Sequence, residues 1–197
     1  MTENIIDRAR DYVLQLLLSK LPNGMRFHNV MHTQDVVKAA IEIATESCFS
    51  STQSEIVTLA AWFHDCGYTT AYTNHEDSSK TIAADFLNRN NYPQEKTAQV
   101  LACIEATRFP QNPESPEEEV LADADLYHFT KTDYSKYERR LRMEFKTYLG
   151  KTYTNEEWDE TNYALLKQHS YYTAYGKTVL QKFKEVNMEM LKIKLTK

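Results

Sequence analysis

Apolar residues recur at helical spacing along nearly the whole chain. Over residues 3–20, Ile6, Tyr12, Val13, Leu16 and Leu17 fall on roughly one face, and Pro22-Asn23-Gly24 closes the segment. Val36, Val37, Ala40, Ile41 and Ala44 repeat the rhythm in a second helix. Thr52 with Glu55 has the form of a capping box and opens a third, which runs through Leu59-Ala60-Ala61-Trp62-Phe63. That stretch is apolar on nearly every side, so it is expected at the centre of the fold, with Gly67 where it ends. Residues 75–89 carry Ile82, Ala83, Phe86 and Leu87 inward, and residues 94–106 carry Val100, Leu101 and Ile104. After the loop Pro110-Gln111-Asn112-Pro113, the run Ser115-Pro116-Glu117-Glu118-Glu119 is a strong helix start. It has a capping serine, a proline at the first position, and acids at the positive end of the dipole. Helices over 134–149, 155–169 and 176–195 complete the pattern, the middle one opened by a second capping box of Thr154 and Glu157.

Composition sharpens this into a fold class. Only 4 glycines and 5 prolines occur in 197 residues, too few for the tight turns of a sheet protein, so the chain is expected to be all-α, a bundle of about eight to nine helices. Its length suits one domain with a core over about 25–130 and the helices of 133–197 packed on it. The net charge of -5 gives no electrostatic footprint for a nucleic-acid duplex. Cys48, Cys66 and Cys103 form neither a CxxC pair nor an even set, which argues against a disulfide framework or a thiolate zinc site. Charges in MTENIIDRAR and the short apolar runs predict neither a signal peptide nor a membrane span, and a reducing cytoplasm is the expected location.

The candidate chemistry lies in the histidines and buried acids. His28 and His32 are four apart and face the same way if their segment is helical. His64-Asp65 follows the most apolar run of the chain, and Asp123 and Asp125 follow Val120-Leu121-Ala122. A desolvated carboxylate is costly unless something compensates it, and a divalent cation compensates imidazole and carboxylate together. Each piece alone has a bland explanation: a packed histidine, a surface Asp-x-Asp, a chance dipeptide. Three helices that each place such a residue beside an apolar stretch make coincidence a poor account.

His32, His64-Asp65 and a late aspartate resemble the H…HD…D signature of the HD-domain metal-dependent phosphohydrolases. The stretch from Phe27 to Val36 (FHNVMHTQDV) also resembles the Y-H-N-x-x-H-x-x-D-V element of cyclic-nucleotide phosphodiesterases, with phenylalanine for tyrosine. Gly67-Tyr68, Asn74-His75-Glu76-Asp77, Asp123-Ala124-Asp125-Leu126 and Arg142-Met143-Glu144-Phe145 follow in the order of a bacterial branch of predicted HD hydrolases. The resemblance implies an HD-type helical fold and makes His32, His64 and Asp65 metal ligands. Asp125, which Leu126 follows directly, fits the last ligand best, with Asp123 as its rival. His28 matches a proton donor; Asp65 and Glu76 join it as candidate catalytic groups. His75, Arg26 and Arg142 are candidates for holding substrate, with Arg108, Lys177 and His169 as further possibilities near the motifs. One divalent ion is expected, and the mixed nitrogen–oxygen set suits manganese, iron, nickel, cobalt, zinc or magnesium.

Such an ion would lower the pKa of bound water from ~15.7 toward ~7 and offset charge on phosphoryl oxygens. The expected function is therefore hydrolysis of a small phosphomonoester or phosphodiester of nucleotide type, with neither a duplex nor a membrane as partner. A different class of function, a nucleotide-binding sensor that turns nothing over, predicts ligand stabilisation without product. A di-iron oxygenase needs a further histidine where the chain has Thr107-Arg108-Phe109.

Overall fold

The computed structural model describes residues 4–196, which form α-helices and short helical turns, with no strand among them. Asn4 caps α1 (Ile5–Lys20); the expected start at residue 3 lies outside the described residues. Asn29 caps α2 (Val30–Glu46), its side chain accepting from the amides of Met31 and His32. This corrects one expectation. His28 precedes the helix, so it and His32 do not share a helical face.

α3 (Ser51–Phe63) is the central helix, with every residue from Ile56 to Phe63 buried. Its capping box is formed by Ser50 and Gln53, not by Thr52 and Glu55. Glu55 instead accepts from the Tyr92 hydroxyl and pairs with Lys96, so contacts across the fold decide between two overlapping boxes. Around α3 pack α1, α2, α4 (His75–Arg89), α5 (Gln94–Ala106) and α6 (Pro116–Asp125). A short turn, Cys66–Thr69, joins α3 to α4. There Gly67 is pressed so close to α4 that a Cβ would lie 1.8 Å from the His75 carbonyl oxygen, which keeps His75 beside Asp65.

Beyond α6, a second turn (Leu126–Thr130) leads to α7 (Tyr134–Leu149), α8 (Asn155–Gln168) and α9 (Gln181–Leu195). Phe129, Tyr134, Leu166 and Leu191 form a small apolar cluster that ties these helices together. Residues Gly176–Leu180, expected as the start of the last helix, form a π-helical turn leading into it. No helix of the described residues is long and apolar enough to cross a membrane.

Candidate metal centre

The ends of three helices meet at one point. His32 comes from the first turn of α2, His64 from the C-terminal cap of α3, and Asp125 from the last residue of α6. One ligand atom from each lies within 4.8 Å of the others. Asp65 joins them, its Oδ2 standing 3.4 Å from His32 Nε2 and 3.2 Å from His64 Nε2, while Asp125 Oδ1 is 3.2 Å from His32 Nε2.

The tautomer of His64 shows how this cluster suits a cation. Its Nδ1 is 2.8 Å from the Ala61 carbonyl oxygen, which only accepts, so Nδ1 donates and, in the neutral ring, Nε2 holds a lone pair. That lone pair faces the lone pairs of Asp65 Oδ2, and both atoms are buried without a hydrogen-bond partner. Leaving two buried acceptors face to face is costly unless a proton or a metal ion lies between them. Burial disfavours a charged His64, but Asp65 more than reverses this and raises its pKa to about 9. Burial likewise works against ionised Asp65, yet His64 and His75 hold it well below the ordinary carboxylate range. The carboxylates are thus poised as anions around imidazole nitrogens, a donor set that fits a divalent ion bound through nitrogen and oxygen.

Asp123, the rival ligand, is turned away. Its carboxylate accepts from the backbone amides of Tyr172 and Thr173 and from the Thr173 hydroxyl, at 2.7–3.0 Å. A Cβ on Gly176 would come within 2.3 Å of the same carboxylate, so the residues around 171–176 are wrapped tightly on Asp123. We predict that Asp123→Ala, by leaving buried donors unsatisfied, lowers stability by about 3 kcal/mol in urea denaturation while metal binding persists.

Beside the cluster opens a cavity of about 400 Å³. His75 borders it, its Nε2 3.4 Å from Asp65 Oδ1 and its ring stacked on Tyr68 at 3.8 Å. Tyr68 also stacks on His28, at 4.4 Å. His28 Nδ1 lies 2.7 Å from Glu144 Oε2, and Glu144 Oε1 accepts the His28 amide. Burial acts against a charged His28, but the hydrogen bond to Glu144 and the nearby Asp65 outweigh it and raise its pKa. Glu76 is buried at the wall and tied to Arg108, which also pairs with Asp77 and Glu105.

The remaining sequence candidates stand apart from the cavity lining. Arg26 is exposed, and so is Lys177. Arg142 donates to Asn155 Oδ1 and the Tyr153 carbonyl and lies over Trp158, so its guanidinium is already used within α7 and α8. His169 packs against Phe129 and Tyr171, and burial together with Lys184 lowers its pKa to about 3.

Two further residues belong to the site although the sequence pattern gives them no role. His128, three after Asp125, lines the cavity with its ring 6.3 Å from that of His32; burial and His32 lower its pKa to about 3, leaving it neutral. Its spacing from the aspartate was the available signal. Glu144 stood in a motif with no role attached, and no local pattern links it to His28.

The family model for the HD domain matches residues 29–130, which include the four converging side chains. Among solved structures, the chain is similar to a predicted HD superfamily hydrolase from an uncultured Thermotogales bacterium, at 16% identity and a TM-score of 0.64, covering 94% of this chain and 91% of that one. It is also similar to a protein of Lactobacillus plantarum, at 18% identity and a TM-score of 0.65, covering 99% and 98%. At such identities these two likenesses concern the fold alone. No curated protein matches the chain.

Proposed function

Since the chain belongs to the HD-domain family, we propose that it is a metal-dependent phosphohydrolase acting on a small phosphate ester of nucleotide type. The observation that carries this reading is the convergence of His32, His64, Asp65 and Asp125 around buried, unpartnered acceptor atoms at the wall of a cavity. A divalent ion held there supplies Lewis-acid stabilisation of the phosphoryl group and activates water.

The chain's own residues supply the rest. Asp65 turns Oδ2 toward the cluster and Oδ1 toward His75, so this second oxygen is placed to orient the attacking water and take up its proton. His28 has Nδ1 engaged by Glu144, which leaves Nε2 as the nitrogen for the cavity, and its raised pKa keeps a proton there for the leaving oxygen. Glu76, held by Arg108, keeps an acceptor near His75. Aromatic side chains line the cavity, Phe109 and Tyr137 among them, and such a lining suits a base. The cavity's volume is that of a small-molecule site.

The test is hydrolysis of nucleoside monophosphates, cyclic nucleotides and triphosphates, followed by chromatography of the products, each with manganese, nickel, cobalt, zinc or magnesium. Product formation that needs added metal and stops with a chelator is the expected result. Ligand-dependent stabilisation with no product under any metal would replace the reading by that of a sensor.

A further inference from the structure

The far end of the cavity is built differently from its metal end. It runs between α7 and α8, where Leu141, Phe145 and Leu165 make the walls apolar. Among the described residues that line the cavity there is no lysine and no arginine. Beyond the imidazoles of the metal end, a polyphosphate chain would therefore meet carboxylates and aromatic rings with no lysine or arginine to offset its charge. The metal end can serve one phosphoryl group, and what enters beyond it must be uncharged.

Within these apolar walls sits a buried polar cluster of Tyr134, Glu138 and Asn162, with the exposed Thr161 at its edge. Its hydrogen bonds can be followed proton by proton. The Tyr134 hydroxyl donates to Asn162 Oδ1 at 3.0 Å, and the Thr161 hydroxyl donates to the Glu157 carbonyl at 2.7 Å. The Asn162 amide donates to Glu138 Oε2 at 3.2 Å and to the Trp158 carbonyl at 2.8 Å. Every side-chain N–H or hydroxyl proton of Tyr134, Thr161 and Asn162 is thus engaged within the protein, and what remains for a ligand is lone pairs. Glu138 has the most to offer. Its Oε1 faces the exposed ammonium of Lys194 at 3.8 Å, and the buried Trp158 indole N–H is the other protein donor that acts on this carboxylate. A carboxylate that is 6% exposed and so weakly tied is under-solvated, and N–H donors from a ligand would restore what burial removed.

Resting on the hydrolase reading for the metal end, we propose that this cluster is a specificity subsite. It selects monophosphate esters whose uncharged ring presents hydrogen-bond donors at its far edge. Among nucleobases guanine fits best, because its ring N–H and exocyclic amine are adjacent and match the two oxygens of one carboxylate. The distance is short enough for one nucleoside: the ring of His128 lies 6.3 Å from that of His32 and 6.2 Å from that of Tyr134.

The experiment is calorimetric titration of the metal-loaded protein with guanosine and inosine, which differ by the exocyclic amine, alongside hydrolysis of guanosine 5′-monophosphate and 5′-triphosphate. Wild-type protein should bind guanosine roughly tenfold more tightly than inosine, as for one hydrogen bond to a charged acceptor, and should hydrolyse the monophosphate in preference to the triphosphate. In Glu138→Gln, with its melting transition checked first, the guanosine preference should collapse; the wild-type comparison stands even if that variant does not fold. Equal binding of the two nucleosides, or preference for the triphosphate, overturns the inference. Discrimination without phosphate release keeps the subsite and overturns the hydrolase. Phosphate release without discrimination does the reverse.

Discussion

Replacing His64 with alanine is expected to lower metal-stimulated phosphate release by roughly a thousandfold, because several kcal/mol of transition-state stabilisation leave with the ion and ~4 kcal/mol corresponds to that factor. His64 is singled out because its geometry leaves it no other use. With Nδ1 committed to Ala61, its only free nitrogen points at Asp65 Oδ2 inside a fully buried site. The loss should come with a loss of bound metal and leave the helical content unchanged by circular dichroism. A His64→Ala protein within tenfold of wild-type turnover, still dependent on metal, would mean that the ion sits elsewhere.

The second large effect concerns Glu144. Glu144→Gln removes the negative partner of His28 while keeping an oxygen to accept the backbone amide. The pKa of His28, now raised by Glu144 and Asp65 against burial, should fall. The sign follows from the role. His28 must carry its proton to protonate the leaving oxygen, so the alkaline limb of the rate profile should move to lower pH, and kcat at neutral pH should fall by roughly ten- to a hundredfold. A merely structural Glu144 would lower activity evenly at all pH values. A profile of unchanged shape would therefore remove His28 from the reaction.

Much of the fold was legible along the chain because it rests on local rules. The bounds of α4, α5 and α7 follow from apolar spacing alone, and α6 and α8 open at a proline-serine cap and a capping box. Local rules fail where two local solutions compete. Ser50 with Gln53 and Thr52 with Glu55 both satisfy the capping pattern, and Tyr92 and Lys96 decide between them by engaging Glu55. Asn29 decides similarly for His28, because its side chain caps the N-terminus of α2 and so the helix starts only after the histidine.

In the candidate site, His32, His64, Asp65 and Asp125 stand out in the sequence because their order resembles the HD signature and apolar runs lie beside them. Asp123 and Asp125 could not be separated that way, being two residues apart on one helix. Only the fold shows that one meets Thr173 and the other meets His32. The same holds for Glu144, which reaches His28 across more than a hundred residues, and for Glu138 and Asn162, which meet only because α7 lies against α8. Periodicity tells which side of a helix is buried. It does not tell what that side will face.

The most direct measurement is metal stoichiometry by equilibrium dialysis against manganese for the wild-type chain, Asp123→Ala and Asp125→Ala. The geometry predicts one tightly held ion per chain in the first two and none in the third. Undiminished binding in Asp125→Ala, or no binding in the wild type with any of the candidate ions, would contradict the assignment of His32, His64, Asp65 and Asp125 as a metal centre.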